Sequence, residues 1–249
     1  IPSLVKAMLD PNQEVYRASY AALEKIDVRW KKNKTVVSSF GMALKDENPR
    51  IRKSALSAIM KLGPDALPLL PAVESIIKEP DMSEEAIDTL LEIDKSRGLA
   101  VLSRYVSGEE EGKKYLAKIE AVLKEGKLAD KVAAAETIEK IGPAAKSSAP
   151  LLFACLEEKE GNPKLKIACL RTLSRLDLPK EDSLFEKMAE HLLNKQEDIQ
   201  KETVRFLARM DPEWYRKSGI FKCLTRALRH EDADVRANAK KWIQSISKK

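Results

Sequence analysis

The sequence predicts an all-α solenoid, a right-handed superhelix of about seven stacked helix pairs, and three observations carry that prediction. Within residues 44–62, a turn from Asp46 to Pro49 precedes apolar residues at Ile51, Ala55, Ile59 and Leu62. Spacings of four, four and three put them on one face of an α-helix. The pattern then recurs. Asp10, Val15, Ser19, Leu23 and Ile26 hold the equivalent places 36 residues earlier. Asn162-Pro163 repeats Asn48-Pro49 114 residues later, and Leu165, Cys169, Leu173 and Leu176 repeat the stripe. Third, no alternating β-branched run and no Asn-Gly turn offers a strand or hairpin.

The elements follow in order. A short opening helix and a second helix over 15–26 form the first unit, residues 1–30. A basic linker, 29–34, leads into helices over 35–45 and 50–62. Gly63-Pro64 ends the second of these, because glycine takes a positive-φ cap and proline cannot continue the helix. Pro71 suits the first turn of the next helix. The same punctuation returns 79 residues on, at Gly142-Pro143 and Pro150. Ser83 with Glu84-Glu85 starts a helix over 83–94. The register then breaks across 95–118, read as a helix over 97–107 and a turn at 108–112. Regular pairs resume as 113–125 with 128–141, 147–158 with 163–176, 183–194 with 197–210, and 218–230 with 233–247. Ile199 and Val235 take the place of Ile51 in the last two pairs. The whole, 1–249, reads as one array.

One position bears on where the array stops. Tyr20, Leu56, Leu170 and Val204 follow the small residue of their second helices, and Lys240 replaces them in the last. A solenoid needs a polar outer face at its end, so the array is expected to finish at Lys249. Leu4, Val5, Met8 and Leu9 lack such treatment. The expectation is an apolar outward face there, covered by an upstream repeat in a longer chain.

Composition narrows the function classes. With 43% hydrophobic and 34% charged residues the 249-residue chain can bury a stripe in every unit, so disorder is excluded. No apolar run reaches the ~18 residues of a bilayer helix, and no membrane partner is expected. Cys155, Cys169 and Cys223 show no metal spacing. Cys169 stands at the Ala55 position and Cys155 at that of Ile76, so both read as small core residues. An odd number of thiols favours a reducing compartment, hence the cytoplasm.

The unit resembles a HEAT repeat, whose mark is an Asp turn, then Val-Arg, then Ala and Leu along the second helix. Here that is Asp46, Ile51-Arg52, Ala55 and Ile59, and again Asp232/Asp234, Val235-Arg236, Ala239 and Ile243. The resemblance covers nearly all of the chain except 95–118, and the Gly-Pro links look like those of bacterial HEAT arrays. It implies a ladder of acids and bases between adjacent units: Asp10, Asp46 and Glu160 against Arg52, Lys166 and Arg236, with Tyr16 and Gln200 as departures. It also implies non-enzymatic binding of a protein or peptide on a concave face of second helices.

Signatures of chemistry are sparse. A HEAT-type di-iron hydroxylase needs several His-Glu pairs, and only His230-Glu231 fits. The other histidine, His191, stands alone, and phosphate loops, HExxH and nucleophile elbows are missing. Residues 109–111, three glutamates, read as a solvated helix start rather than a cation site. No cofactor is expected. Charge is more informative: residues 74–111 hold 11 acids against four bases, and residues 214–249 hold ten bases against three acids. Arg226, Arg229, Arg236, Lys240 and Lys241 are therefore the candidate partner-binding surface, since such polarity steers a partner. The rival partner is nucleic acid at this basic end, suited to a chain of net charge +6. HEAT-like DNA glycosylases resemble the fold class, but their catalytic residues have no counterparts here. Trp30, Trp214 and Trp242 are expected to pack, and Glu231, Asp232 and Asp234 would repel phosphate.

Overall fold

The computed structural model describes residues 2–27, 29–106, 109–158 and 161–248, and leaves out the side chains of Gln13, Glu109 and Glu111. Among the described residues there are fifteen α-helices and no strand, and the chain divides into two compact units, Ile1–Tyr105 and Val106–Lys249. The first unit holds α1 (Pro2–Ala7), α2 (Gln13–Ile26), α3 (Lys34–Ala43), α4 (Pro49–Leu62), α5 (Leu70–Ile76), α6 (Ser83–Ile93) and α7 (Lys95–Tyr105). Here α1 pairs with α2, α3 with α4 and α5 with α6; α4 packs beside α6, and α7 closes on α6. The second unit holds α8 (Glu109–Glu125), α9 (Leu128–Ile141), α10 (Ala149–Glu157), α11 (Pro163–Arg175), α12 (Asp182–Ala189), α13 (Glu197–Met210), α14 (Ser218–Ala227) and α15 (Ala233–Ile246). These form four pairs, with α9, α11 and α13 side by side. The architecture is the all-α helix-pair solenoid that the repeat predicts.

Three pairs, α1–α2, α3–α4 and α14–α15, turn on two successive side-chain caps. Asp46 accepts the Asn48 N–H at 2.8 Å, and Asn48 accepts the Arg50 N–H at 3.0 Å. Asp10 and Asn12 do the same at 2.8 and 2.9 Å. In the last pair the first acceptor is His230 Nδ1, 3.0 Å from the Asp232 N–H, and the second is Asp232, 2.8 Å from that of Asp234. These caps satisfy first-turn N–H groups that have no partner inside the helix. Pro49 and Pro163 occupy the first helical position, where no N–H is needed.

Two kinds of link leave the second helices. Gly63 and Gly142 adopt φ of 56° and 71°, which an L side chain resists, and a proline follows each. At Asp27, Asp94 and Asp211 the N–H returns to the helix, while the carboxylate accepts from Arg29, Arg97 or Glu213, each at 2.9 Å. Trp30 and Trp214 follow two of these links and are fully buried, as packing residues should be. The second helices approach closely through small residues. Thr172 is buried, and its hydroxyl donates to Ala168 O and, across the interface, to Ala135 O of α9, both at 2.8 Å.

Four sequence expectations need correction. The turn placed at 108–112 is helix from Glu109 onward; Gly112 is there for packing, since a Cβ on it would lie 2.6 Å from Ile141 Cγ2. Ser107 and Gly108 lie outside the described residues. Ser83 is not a cap: its hydroxyl donates back to Pro80 O at 3.2 Å. The start of the chain does not present a wholly apolar outward face, because Val5 and Met8 are buried and Leu4 and Leu9 partly so. Lys240 is exposed, as expected. Finally, Pro49–Ile76 does match a bilayer span in length, with a mean hydropathy of 1.2 over its most apolar window. It is, however, α4, a 3-10 turn and α5, interrupted at Gly63, and half of that window is buried within the fold.

Candidate functional site

The second helices leave open valleys on their solvent side. In the second unit one valley, about 660 Å³, lies between α9 and α11, lined by Glu136, Glu139 and Lys140 opposite Lys164, Arg171 and Arg175. Another, about 310 Å³, lies between α13 and α15, with Lys201, Arg205, Lys241 and Trp242 on its walls. In the first unit α2 stands off from α4 and leaves about 820 Å³. Its floor carries Tyr16 and Tyr20 on α2, and α4 supplies Arg50, Lys53 and Lys61. Tyr16 and Tyr20 stack at 6.4 Å, and Trp30 meets Tyr20 edge-on at 5.6 Å. Burial, then the neighbouring Tyr20, pushes the Tyr16 hydroxyl up to about 12.

The expected ladder works mainly inside each turn. Arg52 Nη1 donates to Asp46 O at 2.8 Å and Glu47 O at 3.0 Å, and only its Nη2 reaches another pair, at Glu79, 2.6 Å away. Arg236 likewise donates to His230 O and Glu231 O at 2.7 and 2.6 Å. Gln200, read as a departure, does the same job at Asn194 O, 2.6 Å. Asp10 and Asp46 cap their own turns as described above. Lys166 is buried at the equivalent place, and Glu160 lies outside the described residues. Arg52, Gln200 and Arg236 thus lock their own turns, and Arg52 also ties its pair to the next through Glu79.

Further bracing between pairs comes largely from residues that the sequence did not single out. Glu202 of α13, with 8% of its side chain exposed, receives Arg171 of α11 at 3.0 Å and Arg205 of its own helix at 2.6 Å. Arg175 meets Glu139 of α9 at 3.5 Å. Lys195 joins the preceding turn to Asp232 and Asp234 at 3.2 and 3.0 Å, so both acids already have a cation.

The candidate basic surface divides between two helices. Arg226 on α14 is bound to Glu186 of α12 and to Glu190 just after it, at 3.3 and 3.0 Å. Arg229 is exposed beside Phe221 and His230 in a concavity of about 910 Å³. On α15, Arg236 is committed to its turn, Lys240 is exposed and Lys241 lines the α13–α15 valley. Trp242 donates its indole N–H to Leu192 O at 3.0 Å, which ties α15 to the end of the preceding first helix.

The groups with chemistry are scattered. Among the described residues no cluster of three or more His, Cys, Asp and Glu side chains has metal-binding geometry. Glu110 pairs with Lys113 at 2.8 Å. His191 is held near 4, first by burial and then by Lys166 and Lys187, with Glu157 pulling weakly the other way. All three thiols are buried, and the structure adds a relation the spacing hid. Cys155 of α10 and Cys169 of α11 act on one another, and that interaction lowers the Cys155 thiol and raises that of Cys169.

No family model matches the chain, and neither does any curated protein. Several solved structures are similar over its length. An archaeal HEAT-like repeats protein from Thermococcus onnurineus is 14% identical, with 99% of this chain and 97% of that one covered and a TM-score of 0.40. The CpcE–CpcF complex of phycocyanin lyase from Nostoc is 18% identical, covering 98% and 93%, at a TM-score of 0.34. Human deoxyhypusine hydroxylase is 13% identical, covering 100% and 96%, at 0.33. At these scores the likenesses carry no argument about activity or partner; the HEAT-like reading rests on the repeated turns and helix pairs themselves.

Proposed function

We propose that the chain is a non-enzymatic scaffold that binds a protein or peptide on the solvent side of its second helices. The observation that carries this is the set of open valleys between those helices, of about 820, 660 and 310 Å³, walled by exposed charges and hydroxyls. Enclosed pockets suit small molecules, whereas open valleys on a preformed repeat surface suit an extended chain, which binds without ordering its receptor. Reversing Lys140 and Lys164, both lining the α9–α11 valley, should remove partners captured from the source cell while thermal stability stays unchanged. Capture that ignores these reversals, and equivalent ones in the other valleys, counts against the reading.

A second reading is favoured by Arg229, Lys240 and Lys241, which have no ion pair among the described residues. On this reading the basic end binds nucleic acid. Labelled duplex titrated at about 50 and 200 mM salt decides, because phosphate binding weakens steeply over that range. Tight, salt-sensitive binding lost on reversing Arg229 and Lys240 would replace the first reading. Arg236 is unsuitable for the test, since it braces its own turn.

A further inference from the structure

We propose that the valley between α2 and α4 is a docking groove for an extended acidic peptide segment. This rests on the reading of the second helices as a binding face and names the partner's chemistry at one place on it. Arg50, Lys53 and Lys61 lie at intervals of three and eight along α4, with Ser54 and Ser57 between them, and Arg17 faces them from α2. Eleven residues of helix at ~1.5 Å rise make a stripe about 16 Å long, the reach of roughly five extended residues at ~3.3 Å.

Charge is unbalanced here. Asp10 is the one acid on the lining, and it already accepts the Asn12 N–H. Lys53 is paired with Glu85 of α6, but Arg17, Arg50 and Lys61 have no ion pair among the described residues. The α9–α11 valley differs, since Arg171 and Arg175 there are matched by Glu202 and Glu139. The floor adds an apolar surface at Met60 and the two tyrosine rings, and the Tyr16 hydroxyl has no hydrogen-bond partner among the described residues. Tyr20 has no free face on which a nucleobase could stack. Tyr20 is already covered by Tyr16, by the edge of Trp30 and by Lys31 Nζ, 5.5 Å from its centroid. Carboxylates at alternate positions of a strand would meet the cations, and apolar side chains between them would meet Met60 and the tyrosines.

The test uses the full chain and a fluorescein-labelled hexapeptide of alternating Glu and Leu, read by anisotropy at about 50 mM salt. Controls are the Lys-Leu counterpart and a labelled single-stranded oligonucleotide. The acidic peptide should bind, and R50E/K61E should weaken it by at least about tenfold, as should S57W, which fills the groove without changing charge. K140E/K164E, in a valley of the second unit, should leave peptide affinity within about twofold, as expected if the groove of the first unit alone binds the peptide. Equal loss in both charge variants, unchanged binding in R50E/K61E and S57W, or tighter binding of either control would overturn the proposal. The two readings fail separately. If K140E/K164E abolishes partner capture while the peptide ignores the α2–α4 variants, only this groove is wrong; if no valley variant affects capture, the binding face itself is wrong.

Discussion

Between α11 and α13 a nearly buried carboxylate, Glu202, sits between two arginines at 3.0 and 2.6 Å, and the helices close on each other. Between α2 and α4 the equivalent zone holds tyrosines and cations, with Asp10 the only acid and already committed, and the helices leave about 820 Å³ open. The helices carry the same stripe, and Asn12, Asn48 and Asn162 cap α2, α4 and α11 alike. What differs at these two junctions is the polar positions beside the stripe, matched across the helices at one and unmatched at the other. A charge with a partner on the next helix contributes to stability; a charge without one is left for a ligand.

The largest expected effects test whether the second helices are equally well packed at both places. Leu56→Ala and Leu170→Ala, both fully buried, should each cost about 2–5 kcal/mol in denaturant unfolding. A cost below about 1 kcal/mol at Leu56 would mean that α4 is loosely held, and the groove a symptom of poor packing rather than a built surface.

Acid should separate the two units next. His191, in the second unit, has a folded-state value near 4, below its unfolded value of about 6.5. The unfolded chain therefore binds the proton more readily between those values, so stability is full above about pH 6.5 and falls as pH drops towards 4. The loss is on the order of 2–3 kcal/mol at most, and His191→Gln should abolish it. Trp30 reports on the first unit and Trp214 and Trp242 on the second. Fluorescence of W30F against W214F/W242F should thus place the His191-dependent step in the second unit. A His191→Gln chain with an unchanged acid midpoint would remove this difference.

Smaller effects sharpen the contrast directly. Glu202→Gln should lower stability by about 1–2 kcal/mol, since Arg171 and Arg205 then lose their shared acceptor. Arg50→Gln and Lys61→Gln should shift stability by no more than about 0.5 kcal/mol, because exposed side chains outside any network are near neutral. Comparable costs at both junctions would mean that the cations of α4 also hold structure.

The helix pairs were legible in the sequence because their signals are local. The Asp-x-Asn caps, the i, i+4 stripe and the Gly-Pro links each act within a few residues, and helices α4, α9, α11 and α13 fall where those signals put them. What depends on the phase between neighbouring helices was not legible. Arg171 and Glu202 are 31 residues apart, and nothing in either letter says that they meet. The same holds for Cys155 and Cys169, correctly read as core yet with no hint that the two thiols influence one another. Gly112 misled because glycine marks both turns and tight helix crossings, and only Ile141 opposite it settles which. Arg52 and Arg236 misled because a base near a turn reads equally as a reach outward or a reach back.

That reach back bears on how the chain acquires its fold. Arg52, Gln200 and Arg236 each close a loop of six residues onto their own turn, at separations where loop closure takes place in tens of nanoseconds. A hairpin can therefore set its connector before any neighbouring pair exists. Nucleation is then available at several points along the chain, and growth proceeds by adding pre-shaped hairpins rather than by a search for distant contacts. An Arg52→Ala chain should accordingly fold more slowly as well as unfold more readily, whereas loss of Glu202, which acts only once two hairpins have met, should appear chiefly as faster unfolding.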